Sequence, residues 1–296
     1  MLEFLKRYKS PFIKRKKIRI DSSIDAFKPR ARYELALFST LLFLLAALVF
    51  QFLITFQTRL LLKFYSISFI YNLFGIQFTS VDASVWPEDR IFLVYGFGYL
   101  IYSGLGLLLF IVLKKVKRIH WKLRLFFSWL AFLMVYSIPI GMLSGVFIFD
   151  GFGYAYSWIF GNMFIRGFIA LIILAVSIYN RKEWIKLFLR SAYSASLIAK
   201  GNRRKVYIRL SFIYPWVFGT SILSVFALWN QAWAWEANSI GLGLIVLPIF
   251  EKTITKRNLK IFRNSKRIFR FPCPSLQFGL IIVLLWIANY FSKTNF

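Results

Sequence analysis

The chain has 296 residues, of which 59% are hydrophobic, 20% aromatic and only 17% charged, with a formal net charge of +28. A soluble domain is nearer half apolar with about a quarter of its residues charged, and here the apolar residues fall in long runs that lack the polar faces a water-soluble fold needs. A single cysteine, Cys273, and a single histidine, His120, exclude an internal disulfide, most zinc sites and haem held by two histidines.

Residues 1–32 carry 11 basic residues, including Lys14-Arg15-Lys16-Lys17. They are too polar for the apolar core of a signal peptide, and no small-residue cleavage pattern follows the first apolar run. They read as a basic cytoplasmic tail ahead of a transmembrane helical domain at 33–292. A helix needs roughly 20 apolar residues to cross a ~30 Å hydrocarbon core. Runs at 34–56, 91–113, 125–148, 157–179 and 207–229 meet this requirement, and 232–250 and 276–292 are shorter candidates. Inside lipid every backbone polar group must be satisfied within its own segment. The predicted fold is therefore all-α: an integral membrane bundle of seven spans. Between the first two runs, 60–76 is apolar enough to predict a helix lying in the outer interface, and 77–90 reads as an exposed loop.

The positive charges set the orientation. Lys114–Arg124 carries six basic residues, Arg181–Arg209 nine and Lys252–Arg270 eight. The connections at 57–90, 149–156 and 230–237 are poor in Lys and Arg. Basic and non-basic connections alternate, which predicts a cytoplasmic N-terminus and an outer C-terminus. Trp86, Trp158, Trp229, Trp233 and Trp235 fall near predicted outer ends, and Trp121 and Trp184 near inner ends, as expected of an interfacial aromatic belt.

The basic face suggests a partner. In the stretch after the sixth run, Lys260, Arg263, Lys266, Arg267 and Arg270 interleave with Phe262, Ile268, Phe269 and Phe271. This pattern suits a segment adhering to anionic lipid headgroups, with long cationic chains reaching the headgroup level. No folded reader or stacking platform for nucleic acid is evident, so no specific nucleic-acid binding is expected.

A search for chemistry returns mostly absences. There is no His-Glu-x-x-His helix, no paired membrane carboxylates, no Asp cluster for Mg²⁺ and no Walker A loop. No catalytic residue, metal or cofactor is assigned. The positive feature is Arg166, expected about nine residues inside the fourth run, where a charge is costly unless paired or facing a cavity. Asp150 and Glu236 are its nearest acidic candidates. The trio predicts either an outward polar pocket for an anionic group or a structural clamp. Gly141 and Gly145 form a Gly-x-x-x-Gly face for close helix packing.

The reading favours a non-enzymatic structural or accessory subunit of a larger membrane assembly, placed by its Phe-, Ile- and Lys-rich composition in a bacterial inner membrane. The alternative is a small transporter, flippase or channel using a pocket around Arg166. An intramembrane lipid-modifying enzyme or protease fits least.

Overall fold

The computed structural model describes residues 29–67, 69–72, 75–78, 88–116, 119–147, 151–198, 201–229 and 279–280. The expected sixth span, the expected seventh span apart from residues 279–280, the basic set from Lys260 to Arg270, Asp150 and Glu236 lie outside the described residues. Within them the chain is helical, with one short β-ladder. In order they are α1 (Pro29–Phe64), β1 (Phe69–Asn72), β2 (Gly75–Phe78), α2 (Glu88–Phe92), a π-helical segment (Leu93–Phe97), α3 (Gly98–Lys115), α4 (Trp121–Ser144), α5 (Phe152–Ile159), α6 (Met163–Tyr179), α7 (Arg181–Arg190), a 3₁₀ turn (Ala195–Ile198), α8 (Gly201–Ile208), a second π-helical segment (Arg209–Ile213) and α9 (Tyr214–Trp229).

Four stretches are long and apolar enough to cross a membrane: Arg32–Phe64, Arg90–Lys115, Trp121–Ser144 and Gly201–Val225. α6 makes a fifth when counted as one span with α7, which bends away from it by 44°. At 36 residues, α1 is about 54 Å long, well beyond a ~30 Å hydrocarbon core.

The segment expected to be an interfacial helix, 60–76, is instead divided. Its first residues complete α1. The helix is then closed by Ser66, whose φ of 57° lies in the left-handed region. The Ser66 amide donates to the Lys63 carbonyl at 3.1 Å and the Ile67 amide to the Leu62 carbonyl at 3.0 Å. These two reversed bonds, with Ile67 and Leu62 buried together, form a Schellman ending. Beyond it β1 and β2 pair antiparallel, with Phe69 opposite Phe78 and Asn72 opposite Gly75. Apolarity alone could not tell this ladder from a helix.

The fourth run also differs from expectation. The predicted continuous helix at 157–179 is broken between α5 and α6, around Phe160, Gly161 and Asn162. Asn162 caps α6, its side-chain oxygen accepting from the Phe164 amide at 2.8 Å; capping by Asn is strongly preferred where a helix starts.

Contacts fix the relative directions of the helices. In α1 and α4, Phe38 meets Trp121 with ring centroids 5.5 Å apart and Phe43 meets Trp129 at 4.9 Å, so the two run parallel. In α1 and the α8–α9 helix, the Ser39 hydroxyl donates to the Ser211 carbonyl at 2.7 Å, and Phe43 lies against Gly219 further along; these too run parallel. By contrast α3 is antiparallel to α4, with Gly106 facing Met134 and Arg124 reaching Leu113. α6 is antiparallel to α4, with the Tyr136 hydroxyl donating to the Ser177 carbonyl at 3.2 Å. The result is an up-and-down bundle in which the start of α1, the end of α3, the start of α4, α7 and the start of α8 share one end. That end carries Arg32, Lys114, Lys115, Lys122, Arg124, Arg181, Lys182, Lys186, Arg190, Arg203, Arg204 and Lys205.

The core is centred on α4, and it is aromatic. The Trp129 ring stacks on Phe212 at 4.8 Å with an interplanar angle of 4°, and meets Phe43 and Phe188 edge-on at 4.9 and 5.0 Å. Phe132 continues the cluster to Trp184 and Phe212. Offset and edge-on ring pairs each add about 0.5–1.5 kcal/mol beyond area burial, and here they tie α1, α4, α7 and the second π segment to one centre. Trp121 and Trp184, expected as headgroup anchors, are both only 5% exposed. Trp121 packs on Phe38 and Tyr193, and Trp184 on Phe110, Phe132 and Tyr136. They belong to the core rather than to a belt facing lipid. Trp158, at 48% exposed, remains at the surface.

Candidate functional site

Because α6 begins at Met163, Arg166 is the fourth residue of its helix, roughly 5 Å from the helix start at 1.5 Å per residue. It therefore lies nearer the end of the bundle than the continuous-helix reading placed it. Its side chain is buried, 6% exposed. One guanidinium nitrogen, Nη1, donates to the Gly145 carbonyl at 3.0 Å. Gly145 is the C-terminal cap of α4. The Tyr156 hydroxyl of α5 donates in turn to the Arg166 carbonyl at 2.7 Å. Arg166 thus joins three elements: it closes the end of α4, anchors α6 and receives α5.

The glycines around it permit this approach. A Cβ on Gly145 would lie 2.5 Å from the Gly153 Cα, and one on Gly141 would lie 2.8 Å from the Phe152 Cβ. The small face of α4 is therefore covered by the start of α5.

The same device recurs. Arg124, the fourth residue of α4, is 5% exposed. Its Nη1 donates to the Leu113 carbonyl at 3.2 Å, and its Nη2 to the Val116 carbonyl, closing the end of α3. Arg204, the fourth residue of α8, donates from Nε to the Ile198 carbonyl at 2.7 Å, at the end of the 3₁₀ turn. Three guanidinium groups, each on the fourth residue of a helix, reach back to carbonyls where an earlier helix or turn stops. The last turn of a helix leaves carbonyls without intrahelical partners and carries partial negative charge. A hydrogen bond from a charged donor contributes about 1.5–3 kcal/mol. Arg190 adds a fourth contact of this type, donating to the Lys114 carbonyl at 2.9 Å.

Beside it, Glu183 bridges α7 to α3, with Lys114 at 2.7 Å and Lys186 at 2.6 Å. Glu183 lies past the apolar run of α6, on the charged helix α7.

Sequence reasoning singled out Arg166 by its depth and left Arg124 and Arg204 among the loop charges. The signal available is spacing: an arginine at the fourth position of a helix. Trp129, the centre of the core, was also passed over, although the uninterrupted apolarity of its helix is what burial on all sides requires.

Chemically, the described arginine sites hold helix ends together. Among the described residues there is no group of three His, Cys, Asp or Glu side chains able to hold a metal ion. A scan against protein-family models finds no match, and comparisons with curated proteins and with solved structures return none.

Proposed function

We propose that this chain is a structural or accessory subunit of a larger assembly in a bacterial inner membrane, with seven spans and its basic bundle end toward the cytoplasm. The observation that carries this reading is the use made of buried polarity. Arg124 and Arg166, the charged residues buried in the described bundle, are directed at backbone carbonyls of neighbouring helices. The buried hydroxyls of Thr40, Thr55, Ser128, Ser137, Ser177, Ser191 and Thr220 bond carbonyls within three or four residues of their own helices. Polar groups spent in this way build a rigid scaffold. A transport path instead carries ionisable groups deep within the spans, facing a water-filled cavity.

A second support is uneven burial. The apolar window of α4 is 72% buried, whereas that of the span containing α3 is 22% buried. A weakly buried apolar flank suits lipid or a partner helix. The orientation rests on the basic bundle end, which the positive-inside rule assigns to the cytoplasm.

Extraction of the full chain from native membranes in a mild detergent, with native sizing and mass spectrometry of co-migrating proteins, tests the proposal. Stoichiometric partners are expected. A particle of monomer or homodimer size with no companion would overturn the reading and favour a transporter.

A further inference from the structure

Between the first turns of α1 and the α8–α9 helix lies a cavity of about 750 Å³. This volume falls within the ~300–1,000 Å³ typical of small-molecule sites. Arg32 of α1 and Arg209 at the start of the second π segment line it, together with Tyr214. Leu37, Phe218 and Ile222 supply apolar wall further along. The two helices run parallel here, so both arginines lie toward the basic end of the bundle and the apolar wall leads away from it. From Arg209 to Ile222 the helix rises by roughly 20 Å at 1.5 Å per residue. A cationic mouth continuous with an apolar groove of that reach matches a molecule with an anionic head and a long hydrocarbon tail.

The π segment brings the mouth and the wall onto one face. The Tyr214 amide donates to the Arg209 carbonyl, a five-residue step. In a regular α-helix Ile213 would stand one turn above Arg209; the wider turn puts Tyr214 there, in line with Phe218 and Ile222. π-helical turns are rare and often occur at functional sites. This one is held from outside: the Ser39 hydroxyl donates to the Ser211 carbonyl within it at 2.7 Å, and the Trp129 indole donates to Ser39 at 3.3 Å. The distortion is therefore tied into the core.

We infer that this cavity binds a phosphate-bearing lipid, with Arg32 and Arg209 at its headgroup and its acyl chain along Leu37, Phe218 and Ile222. Planar guanidinium groups recognise phosphate oxygens through paired hydrogen bonds. The site as described uses no residue of the basic stretch Lys260–Arg270 and does not depend on the accessory-subunit proposal.

The test uses the full chain in detergent, exposed to equal amounts of dioleoylphosphatidylglycerol and dioleoylphosphatidylcholine and read by native mass spectrometry. The wild type should retain the anionic lipid preferentially. The Arg32→Gln/Arg209→Gln double variant should lose roughly tenfold or more of that retention, while Lys115→Gln, an exposed cation at the same bundle end that does not line the cavity, should keep it. Ala36→Phe, which places a ring in the cavity beside the apolar wall and leaves both arginines, should also reduce binding; monodisperse elution of each variant confirms folding. Excess inorganic phosphate should not displace the lipid. Equal retention of the two lipids, unchanged retention in both cavity variants, or full displacement by inorganic phosphate would each overturn the assignment. The last of these would identify a site for free anions.

Discussion

At the scale of single residues, the molecule depends on arginines whose charge is spent on the backbone. A guanidinium near the membrane is costly when isolated, on the order of 2.5–3.5 kcal/mol at a span's centre on insertion scales. Arg166 and Arg124 offset this cost by sitting in the first turns of their helices and by donating to carbonyls at the end of an earlier helix. Truncation would remove the charged donor and leave those carbonyls without it. Arg166→Ala and Arg124→Ala should each destabilise the detergent-solubilised protein by about 2 kcal/mol. Lys115→Ala, at an exposed side chain, should change stability by less than about 0.5 kcal/mol. Thermal unfolding followed by intrinsic tryptophan fluorescence would compare them; equal, negligible shifts for all three would show that the arginine contacts are not structural.

At the scale of elements, packing is set by where backbones come close. α1 and α9 meet at Gly219, where a Cβ would run into the Phe43 ring, and Phe43 is itself fixed against Trp129. Gly104 of α3 has nothing within 4 Å of the corresponding position. Gly219→Ala should therefore cost about 1–3 kcal/mol through overpacking. Gly104→Ala should be neutral or stabilising by up to about 1 kcal/mol, from helix propensity alone. The same thermal measurement separates them, and a neutral Gly219→Ala would contradict the close α1–α9 crossing. Much at this scale was legible in the sequence, because crossing a membrane demands long apolar runs. The helices at Arg32–Phe64, Arg90–Lys115, Trp121–Ser144 and Gly201–Val225 overlap runs read directly from hydropathy. Boundaries were less legible. Hydropathy does not register the left-handed Ser66 that ends α1, nor the Asn162 cap that starts α6 anew. For the same reason it set Arg166 too far inside its helix, and it carries no sign of the π turn that aligns Arg209 with Tyr214.

At the scale of the whole molecule, the bundle is polarised. Its aromatic centre lies among α1, α4, α7 and the second π segment, and the basic ends of these elements converge on one side. Long-range charge of this kind governs which face of a bilayer a protein presents. It also places the proposed lipid cavity at the same level as the proposed cytoplasmic headgroups. In the proposed reading, one strongly cationic face suits the bundle to holding anionic lipid or an acidic partner there.

The measurement that tests this account most directly is cysteine accessibility in intact cells. With Cys273→Ser as background, single substitutions Lys115→Cys at the basic end and Asn162→Cys at the opposite end would be probed with a membrane-impermeant maleimide. Asn162→Cys is expected to react from outside, and Lys115→Cys only after the membrane is broken. Labelling of Lys115→Cys from outside, with Asn162→Cys protected, would show that the bundle faces the other way and would remove the basis for the proposed cytoplasmic partner face.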